Sequence, residues 1–272
     1  MAARRILIVN ADDFGFTRDV NAGIVQAHRT GILTATTLMA NGAAFNDAVC
    51  LARQHPSLDV GCHLVLVGGP SLSRPGQALP ASIQGLLLAL ARRDLDIEKE
   101  LELQLLKLFQ AGIQPTHLDT HKHTHFLPPV LNVVANLAVR YQVPWVRRPI
   151  DFPLQARQLP WTRRLLSGTL GLLGPHVHRV LSQHGCRTTD HFAGFRFTGS
   201  LKTRELIELL EQLPVGVTEL MTHPGYCSSE LLAARTRLKE SREEELKALI
   251  APETQAAIQR LGIELSSFRD LR

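Results

Sequence analysis

The segment Ile6-Leu7-Ile8-Val9-Asn10-Ala11-Asp12-Asp13-Phe14-Gly15 starts as a continuous apolar run and ends on two adjacent carboxylates. A short, β-branched run of this kind suits a strand buried on both faces of a parallel sheet. Beyond it, Thr17 or Asp19 is placed to cap a helix that runs to about Arg29 and stops at Gly31. Residues 33–39 read as a second strand, 44–54 as a helix stopped by Pro56, and 60–67 as a third strand before Gly68-Gly69-Pro70 opens a polar loop. The alternation continues with helices at 96–110, 129–141, 201–213, 237–250 and 252–261, and strands at 144–148 and 215–221. This rhythm predicts an α/β fold with a parallel sheet, open or closed into a barrel. No internal repeat and no linker interrupts it. Residues 151–200, with Pro153, Pro160 and Pro175, are the least regular. They are read as an elaboration of one domain spanning 1–272.

Composition bounds the function classes. The chain has 272 residues, 44% hydrophobic and 20% charged, ordinary values for a globular protein. The net charge of +5 comes from dispersed basic residues, and aromatic residues make up only 5%. That pattern argues against nucleic-acid binding, where basic residues cluster beside stacking aromatics. Attraction to an anionic membrane surface fits it at least as well. The four cysteines, Cys50, Cys62, Cys186 and Cys227, form no C-x-x-C pair and suit a reducing compartment. Arg4 and Arg5 precede an apolar run, but that run is too short for a signal peptide. No apolar stretch is long enough to cross a bilayer. The expected location is the cytoplasm.

The chemistry concentrates where strands end. His117-Leu118-Asp119-Thr120-His121-Lys122-His123-Thr124-His125 holds four of the twelve histidines. As a strand it would turn His117, Asp119, His121, His123 and His125 to one face, a poor core and a good metal or catalytic platform. They cannot all hold one ion, because residues i and i+4 of a strand lie roughly 13 Å apart. Asp12 and Asp13 leave the first strand in different directions, so one can bind a metal while the other faces a reacting atom. Alone, either could simply cap the next helix. Asp13-Phe14-Gly15 also matches a kinase fragment, but no Gly-rich loop or strand lysine precedes it. His63, in Gly61-Cys62-His63-Leu64, would alone pass for a satisfied core histidine. His223, in Thr222-His223-Pro224-Gly225, sits just past another strand. Ligands of parallel α/β folds bind at the carboxyl ends of strands. One Asp and two His leave coordination positions for water, as a catalytic metal site requires.

Together, in order, these strings and Pro115-Thr116-His117 resemble the YdjC-like, or ChbG-type, carbohydrate deacetylase family, from about residue 4 to Arg272. Within it the chain looks most like the hopanoid-biosynthesis-associated branch (HpnK type), on the run of its first 70 residues and the apolar, Arg-rich 151–200 region. The resemblance implies a (β/α) barrel, distorted or regular, related to polysaccharide deacetylases. It also implies a divalent metal, Mg2+ or Zn2+, held by Asp13, His63 and His121. Asp12 would be the general base, His223 the general acid, and Arg147 the base's ion-pair partner, with Arg148 adjacent as the other choice. His123 and His125 would touch substrate. The implied substrate is an N-acetylglucosamine-containing glycan or glycolipid, including a glycosylated hopanoid. Peripheral contact with the inner face of the membrane and a homo-oligomeric state remain open. Trp161, Arg163 and Arg164 beside Leu165, Leu166, Leu170, Leu172, Leu173 and Leu181 are the motive for the membrane idea. The rivals are a soluble chitooligosaccharide deacetylase, another metal-dependent amidohydrolase, and a non-catalytic metal- or sugar-binding protein. The amidohydrolase reading would place His-x-His on the first strand, where this chain carries Asp12-Asp13.

Overall fold

The computed structural model describes residues 4–154 and 171–271. Among them are eight strands: β1 (Arg5–Phe14), β2 (Ala35–Leu38), β3 (Asp59–Leu64), β4 (His117–Thr120), β5 (Trp145–Val146), β6 (His191–Ala193), β7 (Gly216–Thr222) and β8 (Ile263–Leu265). They form one sheet in the order β5-β4-β3-β2-β1-β7-β6, with β8 paired to the start of β1. Every pairing is parallel. The two ends of this order approach each other through isolated parallel bridges, Trp145 with Arg187 and Asp151 with Phe192 of β6. The result is a curled, open sheet, a distorted (β/α) barrel, as the alternation predicts.

Strand β1 sits at the centre because its residues can be buried on both faces: Leu7, Ile8 and Val9 are fully enclosed. Each such side chain contributes roughly 1.5–3 kcal/mol relative to exposure. Helix α1 (Arg18–Thr30) starts where Thr17 accepts a hydrogen bond from the Val20 amide, and its chain leaves at Gly31. Its buried Val20, Ile24 and Ala27 follow helical spacing and pack on the sheet. The helix Glu240–Ile250 lies against α1 and buries Arg242, Glu245, Leu246 and Leu249 along one face. Gly61 admits a close neighbour: a Cβ there would lie 2.6 Å from the His117 ring. That room lets His117 stack on Phe268, with ring centroids 3.9 Å apart.

One expectation fails here. The histidine-rich segment is not a single strand. β4 ends at Thr120, and His121–Phe126 forms a 3-10 turn in which Lys122 and His123 take left-handed backbone angles. The Thr120 hydroxyl accepts from the His125 amide at 3.1 Å and meets His125 Nδ1 at 2.5 Å. A local side-chain partner of this kind competes with strand pairing. The even alternation therefore stops after Asp119. Of the apolar patch, Trp161, Arg163, Arg164, Leu165, Leu166 and Leu170 lie outside the described residues. Leu181 is buried in a helix at Gly174–Gln183, whereas Leu172 is 81% exposed and Leu173 39%.

Candidate metal centre and active site

Two devices bring both carboxylates of β1 into one cleft. The β1–β2 register slips between Ala11 and Phe14, the mark of a β-bulge. Asp13 also takes a left-handed φ of 71°. Among residues other than glycine, that region is adopted most readily by Asn and Asp. Both carboxylates line a cavity of about 1260 Å³.

Asp13 meets two imidazoles. Its Oδ1 lies 3.4 Å from His63 Nε2 and 3.2 Å from His121 Nδ1. The two ring nitrogens are 3.3 Å apart. One ligand atom from each residue lies within 4.8 Å of the others. Strands β1 and β3 deliver Asp13 and His63, and the turn after β4 delivers His121. Asp13 Oδ1 is buried and has no hydrogen-bond partner, an orphan acceptor that a cation would satisfy. Its other oxygen accepts from Arg242 at 2.5 Å. Asp119 Oδ1 lies 2.7 Å from His63 Nδ1. That bond holds the proton on Nδ1 and leaves Nε2 as the ligand atom, the carboxylate–histidine arrangement of metal sites.

Charge points the same way. Asp12, Asp13, Asp119, Glu219 and Glu245 are buried carboxylates, and the buried guanidinium groups among them are Arg147 and Arg242. That shortfall of positive charge favours a cation in the cleft. Without one, burial pushes Asp119 and Glu219 above the usual carboxylate range. Burial works against a charge on His63, yet Asp119 and the β1 carboxylates win and push it up to about 10. A proton on His63 then substitutes for the ion. The donor set, the orphan oxygen and the charge all fit a divalent metal. Imidazole nitrogens suit a zinc-like ion, and the carboxylate with water suits magnesium. Asp12, His63 and Asp119 form a second group with ligand geometry. It is closed to an ion, because Arg147 already occupies both carboxylates.

Arg147, just past β5, grips Asp12 with two parallel bonds of 2.7 and 2.8 Å. It also meets Asp119 at 2.5 Å and Glu219 at 2.8 Å. Burial opposes ionisation of Asp12, but Arg147, with His63 and His223, holds its carboxyl well below the usual range. Arg148 points elsewhere and donates to the Asp190 carbonyl. His223, the first residue after β7, has Nε2 at 3.9 Å from Asp12 Oδ2. Burial pushes its imidazole down to about 4, so it is neutral at pH 7.

His123 lines the cleft with its ring against Phe195, and its Nδ1 is buried without a partner. His125 is fully enclosed, with one ring nitrogen on Thr120 and the other 3.1 Å from the Arg147 carbonyl. Neither nitrogen is left for a bound sugar.

The sequence reading places Asp119 in the cluster without a role, and it misses Glu219, Arg242 and Glu245 altogether. The last two lie in a segment, Glu240-Ser241-Arg242-Glu243-Glu244-Glu245, that looks like a solvated helix face. The available signal is spacing: Arg242 and Glu245 share the stripe of Leu246 and Leu249.

The model of the YdjC-like protein family matches residues 6–260. The chain is 36% identical over 276 residues to a carbohydrate deacetylase of Brevibacillus brevis, covering 97% of this chain and 99% of that protein. A carbohydrate deacetylase of Geobacillus stearothermophilus is 36% identical over 273 residues, with 98% of each covered. Among solved structures, a proposed cellobiose-phosphate cleavage protein of Enterococcus faecalis superposes with a TM-score of 0.75 at 26% identity, over 98% of each chain. The lactam utilization protein of Thermus thermophilus shares the fold, with a TM-score of 0.50 and 14% identity over 96% of this chain and 99% of that one.

Proposed function

Because the chain belongs to the YdjC-like protein family, we propose that it is a metal-dependent carbohydrate deacetylase that hydrolyses the N-acetyl group of an N-acetylglucosamine-containing substrate. The observation that carries this reading is the Asp13–His63–His121 trio set beside an Asp12 that Arg147 keeps ionised. A protein that only binds metal or sugar has no need of that second carboxylate. When bound by the trio, a divalent ion supplies Lewis acidity toward water and the acetyl carbonyl.

The chain's own groups do the rest. Asp12 accepts the proton of the attacking water. Arg147 fixes the direction of that carboxylate, being itself anchored by Asp119 and Glu219. His223 gives a proton to the departing amine. Neutral at rest, its Nε2 takes up the proton that Asp12, 3.9 Å away, receives from the water, and hands it on to the amine. The products are acetate and a free amino sugar. His123, on the cleft wall, is placed to meet the sugar, and His125 supports Arg147 from behind. In this reading the whole chain is one catalytic domain with an elaboration at 151–200, working in the cytoplasm.

The finer proposal is a glycolipid substrate, such as an N-acetylglucosaminyl hopanoid, met at the inner membrane face. Its supports are the likeness to the hopanoid-associated branch, the net charge of +5 and the exposed Leu172 and Leu173. The cleft, at about 1260 Å³, also carries an apolar wall with Phe16, Met39, Val67 and Leu79. Turnover of an N-acetylglucosaminyl hopanoid is to be compared with that of N,N′-diacetylchitobiose, reading acetate from both. Preference for the glycolipid supports the proposal. Efficient deacetylation of the disaccharide with none of the glycolipid replaces it by a chitooligosaccharide deacetylase.

A further inference from the structure

We infer that Glu245 is the positioning residue of His223, holding the loop that carries the imidazole and setting which ring nitrogen works. This rests on the reading of His223 as the proton donor. Glu245 comes from the helix Glu240–Ile250, far from the strand ends in sequence, and is only 2% exposed. Its Oε2 accepts from the backbone N–H of His223 at 2.6 Å. Its Oε1 accepts from the Gly199 N–H at 3.2 Å, in the loop after β6. Gly199 has a φ of +72°, a left-handed angle that favours glycine. One carboxylate thus ties together two loops that border the cleft, since Thr198 and His223 both line it.

The ring is oriented by the same group. His223 Nδ1 lies 3.9 Å from Glu245 Oε2, while Nε2 faces Asp12 Oδ2 at the same distance. At that range the Glu245 contact is a through-space electrostatic one and not a hydrogen bond. Asp12 has both oxygens taken up by Arg147, whereas Glu245 is held by two backbone amides, so the balance favours the proton on Nδ1 when the ring is neutral and directs the Nε2 lone pair toward Asp12 and the reacting groups. When Nε2 takes up the proton destined for the amine, the buried imidazolium has a carboxyl group beside Nδ1 and Asp12 beside Nε2. Burial pushes the Glu245 carboxyl up to about 7, with Arg242, Asp12 and the His223 and Gly199 amides as its neighbours. A third carboxyl in this arrangement orients an imidazole and stabilises its charged form without touching substrate.

The test uses the full chain loaded with a divalent metal. E245Q is expected to lower kcat by at least about tenfold and up to about 10⁴-fold, the loss when a carboxyl that fixes a catalytic imidazole's tautomer is removed, with KM within about twofold. E245D, which keeps the carboxylate, should retain more activity than E245Q. The H223A/E245Q double variant should be no slower than H223A alone, because Glu245 acts through His223. Losses that multiply in the double variant overturn the inference. The imidazole 15N shifts of His223 give a readout independent of turnover: E245Q should move the ring from its Nδ1–H form. Unchanged shifts in E245Q overturn the inference as well. If the wild type releases no acetate from any N-acetylated sugar, the deacetylase reading fails, and the 15N shifts alone decide the role of Glu245. Should E245Q fail to fold, the 15N shifts of the wild type decide: a neutral His223 with its proton on Nε2 overturns the inference.

Discussion

Asp12 and Asp13 are neighbours with opposite tasks, and their partners assign them. Asp13 has one oxygen on Arg242 and the other orphaned beside two imidazoles. Asp12 has both oxygens on one guanidinium. Asp12→Asn should therefore keep the fold and the metal yet lose roughly 10²–10⁴ in rate, the range for a positioned general base. Metal analysis together with acetate release checks this, and full activity in that variant would make another group the base. Arg147→Met leaves Asp12, Asp119 and Glu219 buried around an uncharged side chain. Removing one partner of a buried ion network costs about 3–5 kcal/mol, so denaturant titration should show a loss of that order. At this scale the sequence was partly legible. Carboxylates at the end of an apolar strand and clustered histidines advertise themselves. His63 was ambiguous alone and was identified only through its companions. Arg242 and Glu245 were hidden because a charged residue on a helix is ordinarily solvated, and only tertiary packing turns these two inward.

Among the elements, the turn at His121–Phe126 departs furthest from expectation. A strand of period two would have carried His121, His123 and His125 along one face. The left-handed angles at Lys122 and His123 instead fold the chain back on Thr120, so three histidines meet three environments: the metal trio, the cleft wall and the interior. Periodicity could not show this, because it rests on one hydroxyl finding its own backbone. The loop after β6 gives a prediction about pH. Asp151 accepts from the amides of Phe195 and Arg196, and burial pushes its carboxyl up to about 6. An unfolded Asp titrates near 3.9, so the folded state binds the extra proton between about 4 and 6. The contribution of Asp151 to stability is then complete below about pH 4 and falls as pH rises through 6. Asp151→Asn should accordingly gain stability relative to the wild type between pH 4 and 7, by at most about 3 kcal/mol. Urea unfolding of both proteins across that range checks the sign, and a constant difference would show that Asp151 does not titrate there.

Across the whole molecule, the apolar runs and caps gave away the parallel sheet and most of its helices. The sheet order and the curl were not visible: β5 is read at 144–148, but β6 and β8, with three residues each, are too short for any periodic signal. The central claim is that one divalent ion, held by Asp13, His63 and His121, is required for deacetylation. Its most direct test is to strip the protein with a chelator and titrate metal back while following bound metal and acetate release together, in the wild type and in His121→Ala. The account predicts that wild-type activity returns in step with one ion per chain and that His121→Ala loses ion and activity together. Full activity of the stripped protein, or a His121→Ala variant with normal occupancy and normal rate, would contradict it.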